Sequence, residues 1–112
     1  MDDILSDKFA QETLGFDEAV QIDKENMICG GHSFGGMTGI GVAHEDDRVK
    51  AVFAFDPWLW CEIEGISSNE YFLKQPQIYI TTENFSPIVN EYFKYDTIKS
   101  LDLMIENSPS KE

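Results

Sequence analysis

The pattern with the clearest chemistry is a serine flanked by glycines at a fixed spacing. Gly31-His32-Ser33-Phe34-Gly35 matches G-x-S-x-G, in which the serine lies on a tight turn between a strand and a helix. Such a turn strains the serine backbone, so we expect a glycine two positions to either side, where a side chain would clash. The turn exposes the hydroxyl, and the following amide at the helix N-terminus favours a developing oxyanion. The pattern predicts a nucleophilic serine; a purely structural glycine-rich turn is the alternative.

An acid that could support such a serine follows the next strand. Asp56 comes directly after Val49–Phe55, the segment richest in β-branched and aromatic residues, and open α/β sheets gather functional groups at this end of their strands. Its alternative role is that of a turn-forming aspartate before Pro57. Glu83, which ends a later strand, is a rival for the same catalytic role.

A histidine that could act as the base is harder to place. His32 adjoins Ser33 and is expected to project away from the hydroxyl, and His44 lies eleven residues further on. Along a helix that separation is about 15 Å. Neither histidine is therefore expected to reach the serine, and no histidine follows His44.

The elements that must position these residues alternate along the chain. Short apolar runs bounded by turn residues predict strands at 26–30, which we expect to be buried on both faces, at 49–55 and at 76–81. Helical spacing is found at 34–44, at 87–105 and, less regularly, at 4–20, and the segment 58–75 has no clear period. The order predicts an α/β fold of about three parallel strands with flanking helices.

Composition excludes several classes of function. The 112 residues carry 8 Lys plus Arg against 21 Asp plus Glu, a net charge of −13, which disfavours binding to nucleic acid or anionic lipid. The longest apolar stretch is far too short to span a membrane, and the acidic start lacks the features of a signal peptide, so a cytoplasmic location is expected. Cys29 and Cys61 lack metal-site or redox spacing, and we expect both to be buried free thiols.

Aromatic residues are concentrated in the segment after Asp56. In a functional interpretation this apolar group lines an acyl-binding or lipid-facing surface, and in a structural one it caps the core; its members are Trp58, Leu59, Trp60, Tyr71 and Phe72.

Three segments together resemble a known family. They are Cys29 to Thr38, which contains G-H-S-F-G-G, Asp47 to Trp58, which ends in D-P-W, and the proline-led strand Pro76 to Phe85. The sequence resembles the platelet-activating factor acetylhydrolases, α/β-hydrolases that are calcium-independent phospholipases A2, over about residues 23 to 85. The D-P-W one strand after the serine motif makes the resemblance more specific than G-H-S-F-G-G alone.

The resemblance implies an esterase without metal or cofactor. Its substrate would be a phospholipid with a short acyl group at the second position, above all 1-alkyl-2-acetylglycerophosphocholine. Ser33 matches the nucleophile, Asp56 the acid that orients the catalytic histidine, and the Phe34 amide one oxyanion donor. The alternatives are a noncatalytic remnant that binds lipid or a partner, and a generic carboxylesterase with Glu83 as its acid.

The resemblance also implies that residues 1–112 form part of a hydrolase domain. The family's catalytic histidine would follow the helix at 87–105, and its first strands and second oxyanion donor would precede this segment. We therefore expect both regions to lie outside these 112 residues.

Overall fold

The fold is built on three parallel strands. A computed structural model describes residues 6–109, with β1 at Met27–His32, β2 at Val49–Phe55 and β3 at Gln77–Ile80. The strand order is β1-β2-β3, and both pairings are parallel. This confirms the predicted α/β fold, and it brings the carboxyl ends of the strands to one edge of the sheet.

Helices connect the strands and follow them. β1 leads directly into the helix α2 at Phe34–Glu45. A 3-10 turn at Leu59–Glu62 runs into the short helix α3 at Ile63–Ser67, which confirms the irregular segment with little helix predicted there. The α-helices are α1 at Asp7–Glu12, α2 at Phe34–Glu45, α3 at Ile63–Ser67, α4 at Phe85–Phe93 and α5 at Thr97–Asn107.

The single helix predicted at 87–105 is wrong, because the chain breaks there into α4 and α5. Lys94 ends α4 in the left-handed conformation, with φ 58°. Asp96 then caps α5 by accepting a hydrogen bond from the Lys99 amide at 3.0 Å. Asn90 fastens the corner, since its side-chain oxygen accepts from both the amide and the hydroxyl of Thr97. Apolar spacing continues through the corner, so it does not reveal the break.

The N-terminal helix is much shorter than predicted. α1 is capped by Ser6, whose hydroxyl accepts from the Phe9 amide, and it ends at Glu12, before Gly15. The predicted beginning at Ile4 lies outside the described residues. Beyond α1 the apolar side chains at Leu14, Phe16 and Val20 are exposed, so within residues 6–109 burial does little to hold this segment in a helix.

The core lies on one face of the sheet. α2 packs on β1 and β2, and the interior on that side includes Ile40, Val52 and Met104. On the opposite face the strand side chains are exposed, and we call Ile28, Phe53, Phe55, Ile78 and Ile80 the open sheet face. The expectation that β1 is buried on both faces is therefore wrong for residues 6–109, because α2 covers one side only.

Helix length bears on membrane insertion. Within residues 6–109 no helix has the length and apolar character that a membrane span requires.

Candidate functional site: the serine elbow at the sheet edge

Ser33 occupies the junction between β1 and α2. Its backbone has φ 54° and ψ −120°, a combination that a non-glycine residue seldom adopts. Its amide donates to the Phe55 carbonyl at 3.0 Å, and its carbonyl accepts from the Trp58 amide at 3.0 Å. Two backbone hydrogen bonds thus hold the strained conformation of Ser33, and their partners, Phe55 and Trp58, lie on either side of Asp56 in the sequence.

The glycines of the motif have unequal roles. A Cβ at Gly31 would lie 2.6 Å from the carbonyl carbon and oxygen of Gly35, a contact with backbone that cannot swing aside. A Cβ at Gly35 would meet nothing within 4 Å among the described residues. The expected steric need is therefore found at Gly31, and the expectation for Gly35 is wrong within this part of the chain. Gly36 also matters, since its Cβ would approach the Gly31 carbonyl and Ala54 at 3.1 and 3.3 Å.

The N-terminus of α2 lies directly beyond Ser33. The Ser33 side chain makes no capping hydrogen bond, so it does not occupy the first-turn amides, which begin at Phe34. Unoccupied amides at a helix N-terminus carry partial positive charge. The Phe34 amide is therefore placed next to the hydroxyl-bearing residue, as the motif predicts.

Asp56 lies beside Ser33 at the carboxyl edge of the sheet. His32 pairs with Phe55 at the ends of β1 and β2, so Ser33 and Asp56 directly follow two neighbouring strands. Asp56 is 3% exposed, and its carboxylate accepts two hydrogen bonds from Thr82, from its amide at 2.6 Å and its hydroxyl at 2.8 Å. Asp56 also has a positive φ of 44°, and its amide donates to the Ile80 carbonyl at 2.8 Å. This carboxylate is fixed in place from β3.

Glu83 has a different environment. It follows Thr82, but it is exposed and lines a shallow cavity of about 330 Å³ with Ser86 and Pro87. The buried and hydrogen-bonded carboxylate at this edge is that of Asp56.

The two histidines have separate environments. The His32 imidazole Nε2 lies 4.0 Å from Asp56 Oδ2, and its ring meets Phe85 edge-on at 6.1 Å. Its side chain is 68% exposed. His44 lies near the far end of α2, where Nδ1 is 3.2 Å from the Phe72 carbonyl and the ring stacks on Tyr71. Sequence reasoning missed the proximity of His32 to Asp56, which only the strand register reveals.

The aromatic residues after Asp56 divide into two groups. Leu59 is fully buried in the core, and Tyr71 stacks on His44. Trp58 contacts Phe34 beside the elbow, and both Trp58 and Trp60 contact Phe93 of α4. Leu59 thus has the core role, whereas the two tryptophans lie on the side of the elbow.

The cysteines differ in exposure. Both are free; Cys29 is half-buried, and Cys61 is exposed, so the expectation that both are buried is wrong. Burial, reinforced by the negative charge of Asp46, raises the pKa of the Cys29 thiol, so the reactive thiolate form is less populated. Within the described part of the chain no three His, Cys, Asp or Glu side chains are grouped as metal ligands.

Comparison with known proteins places this geometry in a family. Platelet-activating factor acetylhydrolases from Cavia porcellus, Bos taurus and Canis lupus familiaris are 36%, 34% and 34% identical to the chain over 64 residues. Each match covers 57% of this chain and 14% of the relative, so the chain matches about a seventh of their length. No solved structure matches the chain. The family model described as "Platelet-activating factor acetylhydrolase, isoform II" matches residues 2–104, and the chain therefore belongs to that family.

Proposed function

We propose that residues 1–112 form part of an α/β-hydrolase domain of a serine esterase that cleaves a phospholipid ester. The observation that carries the proposal is the strained backbone of Ser33 between β1 and α2, beside a buried carboxylate. Strain of this kind at a non-glycine residue is typical of functional sites. The names of the relatives support a finer version, with the acetyl ester of platelet-activating-factor-like phospholipids as the substrate.

The proposed chemistry is acyl transfer through Ser33. The hydroxyl oxygen attacks the ester carbonyl, a base accepts the hydroxyl proton, and the oxyanion receives a hydrogen bond from the Phe34 amide. Collapse breaks the ester bond, and the leaving alcohol takes the proton. Water then attacks the acyl-serine with the same base, which releases the carboxylic acid and restores the serine. Asp56 would orient the base and stabilise its protonated form.

We assign the acid to Asp56 rather than to Glu83. The two hydrogen bonds from Thr82 hold the Asp56 carboxylate, which has little freedom to turn, whereas Glu83 is exposed. In a polypeptide that contains these residues and hydrolyses the ester, Asp56→Asn should lower turnover by about 10⁴, the loss seen when a triad histidine loses its orienting acid. Glu83→Gln is the matched control and should change turnover little. The opposite ranking would favour the generic carboxylesterase alternative.

The base is assigned to neither histidine of this chain. His44 is engaged at the far end of α2. His32 is the last residue of β1, and its side chain is 68% exposed on the open sheet face. Its Nε2 lies 4.0 Å from Asp56 Oδ2, too far for a hydrogen bond, and we propose that His32 takes no part in the proton transfer. His32→Ala should therefore leave the reactivity of Ser33 within about twofold, a change under 0.5 kcal/mol.

Covalent labelling tests the nucleophile without requiring turnover. An organophosphonate should form its adduct on Ser33 of the folded chain, slowly in the absence of a base, because the amides of the elbow stabilise the tetrahedral product. Mass spectrometry of the digested protein locates the adduct, and Ser33→Ala should abolish it. Ser67→Ala, in α3, is the matched control and should label normally. An adduct elsewhere, or none in folded protein, contradicts the proposal.

The noncatalytic alternative makes a different prediction. If the protein only binds lipid or a partner, a longer polypeptide that contains these residues should hydrolyse no fluorogenic acetyl ester above its Ser33→Ala background, even when the elbow labels. Comparison of acetyl and long-chain esters in an active longer polypeptide tests the finer substrate proposal, which a preference for long acyl chains would contradict.

A further inference from the structure

A row of five aromatic rings begins at the elbow. Phe34, the residue after Ser33, lies 5.9 Å from Trp58, ring centre to ring centre, and Trp58 lies 5.2 Å from Phe93. Phe93 is 5.4 Å from Trp60, which is 6.2 Å from Tyr95. Each spacing is that of interacting aromatic pairs. We call these five residues the aromatic row, and it links the serine elbow to the corner between α4 and α5.

The aromatic row is open to solvent at intervals along its length. Phe34 is 61% exposed and Trp60 is 43% exposed, and the other three residues are half-buried. Leu59, between Trp58 and Trp60, is fully buried in the core beneath the row. The row therefore presents apolar surface that the described chain does not cover.

A cavity of about 530 Å³ lies at the far end of the row. Trp60 and Tyr95 belong to both, and Ile63 and Leu103 extend the apolar lining. Two lysines, Lys94 and Lys99, also line it. The lining thus combines apolar side chains with two lysine residues.

The charges at this cavity are unusual for the chain. Two of its eight Lys and Arg residues line one cavity of a protein whose net charge is −13. Of the carboxylates in residues 6–109, none lies within 4.0 Å of either ammonium group. Asp96 is the acidic residue of the lining, and its Oδ1 accepts from the Lys99 amide. Both ammonium groups remain able to pair with an external anion.

We propose that the aromatic row and this cavity bind a single-chain fatty carboxylate, with its carboxylate at Lys94 and Lys99 and its hydrocarbon chain along the aromatic rings. Aromatic rings provide apolar contacts for the hydrocarbon chain of the ligand, and lysine ammonium groups pair with its carboxylate. The site goes beyond the proposed esterase activity, because it needs no turnover.

Intrinsic fluorescence provides a direct test, because the chain has two tryptophans and both belong to the row. Titration of the 112-residue chain with decanoate, below its micelle concentration, should change tryptophan emission saturably. Octanoate should bind more weakly, by about twofold to fourfold per methylene removed. Decan-1-ol, which has the same chain length without the charge, should bind about fivefold more weakly than decanoate, the upper range for an exposed ion pair.

Variants of equal charge separate the lysines from general electrostatics. The double variant Lys94→Met, Lys99→Met should lose the preference for decanoate over decan-1-ol, and Lys24→Met, Lys74→Met should keep it. All four positions are exposed, so the fold should be retained, which circular dichroism checks.

Three results would overturn the proposal. They are an emission unchanged by decanoate, equal binding of decanoate and the alcohol to the unmodified chain, and the same loss of preference in both double variants. Decanoate bound only at the open sheet face would leave tryptophan emission unchanged and falls under the first. Failure of Ser33 labelling would contradict the esterase proposal and leave this titration unaffected.

Discussion

Replacing Gly31 with alanine tests the steric basis of the elbow. The new Cβ would lie 2.6 Å from two backbone atoms of Gly35 and 2.9 Å from the Gly36 amide nitrogen. Since Cβ contacts essentially never fall under 3.0 Å, α2 must move by at least 0.4 Å (3.0 minus 2.6) relative to β1. The atoms met belong to backbone inside a helix, so relief requires displacement of the helix. Overpacking of this kind costs about 1–3 kcal/mol, and we expect the upper half of that range.

Gly35→Ala is the matched control within the same motif. Its Cβ would meet nothing within 4 Å in the described chain, and the residue lies in the first turn of α2. Alanine is favoured over glycine in helices by up to about 1 kcal/mol, so this variant should be as stable as the unmodified chain or more stable. The two variants add the same methyl group, and their predicted difference in unfolding free energy is about 2–4 kcal/mol.

Urea denaturation followed by circular dichroism measures that difference. In thermal melts each kcal/mol corresponds to about 4–8 °C for a chain of this size. Gly31→Ala should also slow labelling of Ser33 by the organophosphonate, because displacement of α2 moves the Phe34 amide. If Gly31→Ala is as stable as the unmodified chain, or Gly35→Ala is the less stable variant, the steric argument for this junction fails.

Three further predictions concern the acid, a pH dependence and the open sheet face. Thr82→Val should destabilise the protein by about 1–3 kcal/mol in urea denaturation, because it removes the hydroxyl donor to the buried Asp56 carboxylate. Hydrogen bonds from the Arg48 side chain and amide lower the pKa of Asp46 to about 2, so the stability from this pair is present above pH ~4 and lost as pH falls towards 2. Melts of Asp46→Asn should accordingly depend less on pH in that window. The 112-residue chain should self-associate through the open sheet face. Ile78→Lys should reduce this self-association, which sedimentation velocity measures as a smaller fraction of oligomer.

Each of these predictions has a control in the same chain. Thr81→Val, at the exposed neighbouring threonine, should stay within about 0.5 kcal/mol. Asp102→Asn, at an exposed position of α5, should leave the pH dependence as it is. Ile105→Lys, at an exposed apolar residue away from the sheet, should not change the sedimentation. A variant and its control that behave alike would contradict the corresponding argument.

Local pattern predicted the strands and the elbow. The run Val49–Phe55 is rich in β-branched and aromatic residues, and it forms a strand with those bounds. The serine motif depends on neighbours within two residues, so its strained conformation could be anticipated from sequence. The break at Lys94 could not, because Asn90 and Asp96 stabilise the corner with side-chain hydrogen bonds that apolar spacing does not record.

Residue type and local spacing are enough to single out two candidate site residues, Ser33 on a glycine-flanked turn and Asp56 at a strand end. Their types and local spacing suffice because a turn and a strand are short-range structures. What surrounds these two residues depends on tertiary packing. The parallel register brings Thr82 to Asp56 from 26 residues away and sets His32 beside the same carboxylate. Packing of α4 aligns Phe93 with both tryptophans, and α2 covers one sheet face while the other stays open. These contacts join residues far apart in sequence, and their geometry depends on how whole strands and helices pack, which no local pattern encodes.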